Sequence, residues 1–506
     1  MLGPWLIPAT ILVPLVGALL LMIPAYRKNI SVVRTTTGAF VAATGLLVVA
    51  VAMLGEAECE FLEILPDMPV FFRSDRTSVW FSVLTVAMWM CSTVFSFEYM
   101  KHEKREERYC VFSLLALTAL MGVCFSGNLI TTYLFYEIMT FASFPLVLHE
   151  QTKEAVSAGL TYLYYSLAGA FLGLVGIFFL YRYAAPRTVP GGLLAYAAGG
   201  FLRTDLTDSE RSLLTVVIFL MLIGLGSKVG LYPLHGWLPK AHPVAPAPAS
   251  ALLSGNITKM GILFTVRILF FTVGPDFLRG SWAQYALLGL SLLTVFLGSM
   301  LAYREKVFKK RLAYSTVSQT SYVLTGLYLL APVAAVGALL HVVFHSIIKN
   351  LLFLCAGAII YKTGRTKVEQ LKGIGLIMPV TMVCFTVGGL ALVGIPPFAG
   401  FISKWYLAAG ALDTDTGVLR FLVPVILIIS ALLTAGYLLT VSADAFFVPR
   451  KEGEAEEEKR EEPAKGPEVS LKMLIPLVLL SAAALAFGLF PGVLTDFLNG
   501  IMDVVF

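Results

Sequence analysis

In an otherwise apolar stretch of this chain, His341, His345 and Lys349 recur every four residues (HVVFHSIIKNLLFL). Each step of four along an α-helix advances about 40°, so the three groups fall within about 80° of one face. Histidine takes up and releases a proton near neutral pH, and a partly desolvated lysine can do the same. Bridged by water, such a row is a proton relay. An i, i+4 histidine pair also suits zinc, but no carboxylate or thiolate ligand stands nearby, and no metal is expected. Other ionisable residues lie in equally apolar surroundings: Glu137 (TTYLFYEIMTF), Lys228 (LIGLGSKVGLYP), Lys259 (LLSGNITKMGILF) and Lys404 (PPFAGFISKW). A charge near mid-bilayer costs on the order of 2.5–3.5 kcal/mol on insertion scales, so such groups normally face a protein interior and mark ion paths. The competing readings are a carboxylate paired only for structure at Glu137 and snorkelling at each lysine.

The elements that must position these groups are membrane helices. The 506 residues are 58% hydrophobic and 14% charged, a composition that a water-soluble domain could not carry without large exposed apolar patches. Apolar runs of about 20 residues recur from end to end, each long enough to cross the hydrocarbon as helix. They predict an all-α polytopic membrane protein of about fourteen transmembrane helices. The spans are read near 2–25, 31–55, 78–99, 109–126, 128–149, 157–183, 211–234, 249–271, 283–303, 312–330, 332–361, 376–410, 419–447 and 473–492. The first lacks a basic start and is followed by Tyr26-Arg27-Lys28, which suits a membrane helix better than a cleaved signal. Alternate loops hold roughly 24 and about 8 basic residues, which places the rich side in the cytoplasm of an inner-membrane protein and both termini outside.

Two spans are interrupted in matching fashion, the seventh at Gly230 and Pro233 (GLYP) and the twelfth at Gly394, Pro396 and Pro397 (GIPP). Paired broken helices are the sequence sign of an inverted-repeat transporter with ion sites at the breaks. An odd number of spans per copy inverts the topology of the next, so the expected organisation is helices 1–3 over 1–108, an inverted five-helix repeat over 109–271, its counterpart over 283–447, a charged cytoplasmic loop over 448–472, and helix 14 with its tail over 473–506. Freed backbone groups at the breaks are tolerated only against protein or water, which favours cavities there. Kinks serving only to bend are the simpler alternative.

The six cysteines show no cluster-ligand spacing, and neither a Walker loop nor a dinucleotide turn is present. No cofactor and no catalytic redox centre are therefore expected on this chain, and no nucleic-acid partner. Lys451 to Ser470 (KEGEAEEEKREEPAKGPEVS) reads as a solvated connector.

The same residues carry a family likeness. SKVGLYPLHGWLPKAHPVAPAPASALLSGNITKMG at 227–261, KKRLAYSTVSQ at 309–319, HVVFHSIIKNLLFLCAGAI at 341–359 and GIPPFAGFISKW at 394–405 resemble the antiporter-like subunits shared by respiratory complex I, Mrp-type sodium/proton antiporters and membrane-bound hydrogenases. The resemblance implies that Glu137 and Lys228 form a charge pair in which the carboxylate modulates the lysine. It further implies that Lys259 passes protons inward, that His341, His345 and Lys349 continue the axis, and that Lys404 serves the exit side. Thr161 stands where several relatives have lysine, and Pro239-Lys240 where many have proline and aspartate. Only about a dozen residues follow the last span, so the long lateral helix of the largest homologue is not expected, and the chain looks most like the Mrp and hydrogenase branch.

The expected function is proton or sodium translocation as the membrane subunit of a hetero-oligomeric complex. Its partners would be other membrane subunits and, where the driving reaction is redox, peripheral subunits bearing iron–sulfur or nickel–iron centres. Two rivals stand beside it: a stand-alone secondary transporter for an organic solute, and a scaffold whose buried charges only hold helices together.

Overall fold

The computed structural model of the chain describes residues 3–65, 68–447 and 468–506. Residues 448–467, most of the expected charged loop, lie outside them. The chain is predominantly helical, and among the described residues eleven helices are long and apolar enough to cross a membrane. Those that position the site are α1 (Leu6–Met22), α2 (Ile30–Leu54), α3 (Arg76–Tyr99), α4 (Glu106–Phe125), α5 (Leu129–Val147), α6 (Lys153–Arg182) and α7 (Asp208–Val229). They continue with α8 (Ala247–Val273), α9 (Trp282–Arg304), α10 (Phe308–Tyr328) and α11 (Pro332–Thr363). The last are α12 (Pro379–Val393), α13 (Ala399–Leu412), α14 (Leu419–Phe446), α15 (Leu471–Leu489) and α16 (Gly492–Met502). Helix starts are specified locally: the side chains of Asp75, Asn128, Thr152, Thr207 and Ser281 accept from first-turn amides, and Thr207 with Glu210 closes a capping box.

Three features depart from the sequence reading. The expected tenth span, α10, is not among the eleven apolar helices, because Ser315, Thr316, Ser318, Gln319, Thr320 and Ser321 line it. All six are buried, so α10 meets protein on all sides and has no need of an apolar surface. The expected twelfth span is two helices, α12 and α13, separated at the GIPP break. Finally, an antiparallel hairpin of β1 (Ala57–Leu65) and β2 (Met68–Ser74) follows α2, and amphipathic α16 follows α15. Both are too short to register as spans.

The ends of the helices knit two polar faces. On one, β2 bridges to Ser126, the loop after α6 bridges to Asn128, and Ala197 and Phe201 donate their amides to the carbonyls of Phe271 and Thr272 at the end of α8. On the other, the Lys/Arg-rich face, Val307 bridges to Lys367, Gly373 bonds Asp444, and Tyr361 bonds Glu98. Burial differs among the helices: α2 is largely exposed, α11 is almost wholly buried and α8 is enclosed along its apolar length. The ionisable residues concentrate on these inner helices.

Candidate functional site

The two breaks are built alike. After α7 and after α12, Gly230 and Gly394 adopt left-handed φ of 97° and 87°, a conformation that costs glycine nothing. The next residues, Leu231 and Ile395, donate back to Gly226 and Leu390. The lysines use the breaks differently. Lys228 sits in the last turn before its break, whereas Lys404 reaches back from α13 and places Nζ 2.7 and 2.8 Å from the carbonyls of Leu392 and Val393. Those carbonyls end a helix, where a cation is favoured.

Lys228 is 1% exposed. Its Nζ donates to Thr140 Oγ1 at 2.7 Å and to Tyr162 Oη at 3.2 Å, and it lies 4.8 and 5.3 Å from the ring centres of Tyr162 and Tyr136. Tyr162 is held by Ser143 and packs on Trp237, whose indole donates to the Ser227 carbonyl. Glu137 is one helical turn from Thr140 on α5, yet it does not touch Lys228. Tyr133 Oη donates to its Oε1 at 3.3 Å and Oε2 has no partner. Leu134, Ile138 and Phe141 beside it face outward, so this half-buried carboxylate stands near the flank of the chain. The expected pair is thus in an open arrangement.

Lys259 owes its place to a π turn. Residues Leu253–Ile257 open the α8 ladder where Gly255 lies against Asn350; a Cβ on Gly255 would fall 1.9 Å from the Asn350 amide nitrogen. Such bulges release carbonyls from the i→i−4 pattern. Lys259 Nζ donates to one of them, Ser254 O, at 2.5 Å, and lies 2.6 Å from His345 Nδ1. His345 stacks 6.0 Å from His341, which contacts Ser403 Oγ at 2.9 Å and Gln319 Oε1 at 3.1 Å. Tyr322 lies 5.4 Å from His341 on one side and 5.2 Å from Lys404 Nζ on the other. Lys349, one turn further along α11, donates to Leu312 O and Ser315 Oγ of α10.

The structure therefore brings Lys259, His345, His341 and Lys404 into one file of close contacts, with Lys349 beside it. Glu137 stands apart, and among the described residues no hydrogen bond joins Lys228 to Lys259. The helices still meet there, since a Cβ on Gly261 would come 3.3 Å from Lys228 Cβ. Unpaired buried atoms mark the same file at Gln319 Nε2 and His345 Nε2, and two more lie off it at Ser321 Oγ on α10 and Glu137 Oε2. Each leaves a desolvation penalty of about 1–3 kcal/mol unless it finds a partner, so their concentration here favours hydration.

Sequence reasoning passed over several buried ionisable groups. His242, on the short helix Leu238–Val244, is fully buried with both ring nitrogens unpaired and stacks 4.6 Å from Phe353, over which Lys349 also lies. Lys309 donates to the carbonyls of Pro243 and Ala245, with Glu103 and Glu150 as its nearby negative charges. Lys309 thus binds the segment that carries His242, and His242 and Lys349 share the Phe353 ring. Both His242 and Lys309 lie within the quoted motif stretches and could have been flagged there. Arg267 lies inside the eighth span and carries the same signal as Lys259, a charge in an apolar run. It is 2% exposed and forks onto Asp75 at 2.7 and 2.9 Å, with Ser78 Oγ at 3.0 Å. Burial alone would disfavour ionised Asp75, which caps α3, but Arg267 and the Ser78 donors hold its carboxyl below the usual range.

A family model described as NADH:quinone oxidoreductase/Mrp antiporter, TM, matches residues 126–434. The NADH-quinone oxidoreductase subunit N of Desulforudis audaxviator is 33% identical over 420 residues, covering 81% of this chain and 79% of that protein. A chain of the Mrp complex from Dietzia sp. superposes with a TM-score of 0.82 at 22% identity, over 100% of this chain and 98% of that one. A chain of the membrane-bound sulfane sulfur reductase, an archaeal respiratory membrane complex, gives 0.81 at 20% identity over 99% and 97%. At such identities the structural likeness is one of fold.

Proposed function

The chain belongs to the NADH:quinone oxidoreductase/Mrp antiporter transmembrane family, and from that premise we propose that it moves protons or sodium ions as the antiporter-like subunit of a multisubunit membrane complex. The observation that carries the mechanism is the file from Lys259 through His345 and His341 to Lys404, opened by the 2.6 Å contact of Lys259 Nζ with His345 Nδ1. An amine and an imidazole at that distance share a proton: when Lys259 is charged it donates, and His345 accepts on Nδ1. His341 relays toward Lys404, whose charge the end of α12 supports.

Glu137 and Lys228 act as the switch. When the carboxylate approaches, it holds the proton on Lys228; when it withdraws, as here, the amine has only hydroxyl and aromatic partners and its proton moves on toward Lys259. The proton reaches Lys259 through water between α7 and α8. Glu103, Lys309 and His242 form the inner mouth on the Lys/Arg-rich face. The fourteen-helix topology, the two inverted repeats at 109–271 and 283–447, inner-membrane insertion and outward termini belong to this reading; the matched breaks at Gly230 and Gly394 support the repeats and the uneven Lys/Arg distribution supports the orientation. Other membrane subunits are its partners, with peripheral iron–sulfur or nickel–iron subunits where the driving reaction is redox. An organic-solute carrier would need a roomy site at the breaks, whereas the lysines there are engaged by hydroxyls and backbone.

Lys259→Ala in membranes holding the assembled complex tests the proposal. Coupled ion movement is expected to vanish while the amount of complex is unchanged, and wild-type movement would overturn the relay. Gentle purification followed by mass spectrometry identifies the partners; a chain that purifies alone and still transports overturns the subunit reading.

A further inference from the structure

The Arg267–Asp75 pair closes the inner end of a polar opening on the face opposite the Lys/Arg-rich one. A cavity of about 850 Å³ lies between the hairpin, the end of α8 and the C-terminal segment, and Arg73, Asp75, Tyr196, Phe271 and Asp503 are among its walls. Helix α16 helps to roof it: Phe497 stacks 5.4 Å from Trp80 of α3, and Gly500 lies so close to Arg76 that a Cβ would fall 1.9 Å from Nη1. Arg267 is clamped beneath, with its guanidinium carbon 4.9 and 5.0 Å from the rings of Tyr196 and Phe271. The cavity therefore ends on the Asp75 carboxylate, 18% exposed, with a permanent cation behind it.

From this point inward α3 presents buried hydroxyls on one face. Ser78, Thr85 and Ser92 are seven residues apart, with Ser82 between the first two, and all are at most 1% exposed. Ser78 Oγ accepts from Arg267 of α8, the Thr85 hydroxyl meets Cys124 of α4 while the Thr85 carbonyl accepts from Asn256 of α8, the Ser82 hydroxyl donates back to the Val79 carbonyl, and Ser92 donates to Asn350 beside Lys349. Asn256, in the π turn three residues before Lys259, donates its amide to Thr85 O and leaves its own Oδ1 unpaired although it is 1% exposed. This orphan acceptor stands against α3 on the same helix as Lys259, three residues before it. A solely structural interface between α3 and α8 would have no use for it.

We infer that the α3–α8 interface is an outward proton-release route, running from Lys259 past Asn256, Thr85 and Ser82 to Asp75, which discharges into the cavity beneath α16. The inference rests on the relay proposed above and adds an outer opening separate from the Lys404 end. In the release step the proton adds to a carboxylate oxygen of Asp75, which loosens its fork with Arg267. It then leaves to water in the cavity as the fork re-forms. Arg267 keeps its charge throughout, since a guanidinium does not deprotonate in proteins. Its fixed charge bars other cations from entering by the same way.

The test is Ser82→Leu in the assembled complex, with coupled proton movement measured in vesicles. Ser82 touches neither charge of the gate, and leucine fills the route between Thr85 and Ser78. A drop of at least about fivefold, roughly 1 kcal/mol in barrier, with unchanged complex is the expected result; wild-type movement overturns the route. Should Ser82→Leu lower the amount of complex, Thr85→Val replaces it, a change of similar size that removes a hydroxyl of the route. A drop in coupled proton movement with unchanged complex supports the route, and wild-type movement overturns it. Lys228→Ala run in parallel separates the two readings: its loss of transport beside a normal Ser82→Leu sinks only the outward route, whereas normal transport in Lys228→Ala sinks the relay itself.

Discussion

Lys228 and Arg267 are both fully buried cations on neighbouring helices, each with an acidic residue within reach, and they are solved in opposite ways. Arg267 is forked onto Asp75, sandwiched between two aromatic rings and tied to Ser78. Lys228 has only Thr140, Tyr162 and two aromatic faces, while Glu137 stays out of contact with an oxygen unpaired. A guanidinium that cannot release its proton is best served by a fixed counter-charge, which makes it a strut. An amine that must release one needs a partner that can come and go. The difference separates a cation that keeps its proton in place from one that can give it up.

The contrast yields its largest expected effect at the strut. Arg267→Ala leaves Asp75 facing an apolar α8 end without its partner, and breaking a buried pair this way costs about 3–5 kcal/mol. The hairpin and the α8 end should come apart, read as loss of assembled complex on native gels. Normal assembly would show that the pair is dispensable to the fold and would erase the distinction. Lys228→Arg asks the reciprocal question. Arginine keeps the charge but does not give up its proton, so coupled transport should fall about a hundredfold, the scale of a positioned proton-transfer group, with assembly preserved. Retained transport would mean that Lys228 serves only as a fixed positive charge.

How much of this was legible beforehand follows from what each residue looks like in a string. Lys259, His345 and His341 announce themselves because a charge or an imidazole in an apolar run needs a reason, and the spacing of four puts the histidines on one face. The breaks were legible because glycine and proline punctuate a helix chemically, wherever it packs. The fate of α10 was not, since its hydroxyls lower the hydropathy of a helix that is wholly enclosed; enclosure belongs to the neighbours, and a single helix does not encode it. The π turn before Lys259 was hidden for the same reason, because it arises where Gly255 meets Asn350 nearly a hundred positions away. Nor could spacing show that Glu137 and Lys228 stand apart, since the two are on different helices and their distance is set by packing. Arg267 was readable and was passed over.

A smaller effect is expected at Glu137. Glu137→Gln keeps the shape and the Tyr133 contact but removes the charge that alternately holds and frees the Lys228 proton. Turnover should fall roughly tenfold, the equivalent of about one pKa unit of lost coupling, while Lys228→Arg stays near background. The measurement is the rate of coupled ion movement across vesicle membranes at fixed driving force. An unchanged rate would show that Lys228 is not governed by this carboxylate, and would leave the two buried cations less different than their contacts imply.

The smallest effect separates the two acids by pH. Arg267 and Ser78 hold the Asp75 carboxyl below its usual range in the folded protein. A group depressed on folding contributes stability that is complete above its unfolded value, near 4, and is lost as pH falls through the folded value. Wild-type complex in mild detergent should therefore melt above Asp75→Asn at neutral pH, because Asn leaves Arg267 without a counter-charge. The gap should close as the pH drops below about 4, because protonated Asp75 then resembles Asn. Glu137 has no such fork, so the gap between wild type and Glu137→Gln should stay small and nearly flat over the same range. If instead the Glu137 gap closes with acid and the Asp75 gap does not, the stabilising charge is misassigned: the carboxylate that looks free would be carrying the load.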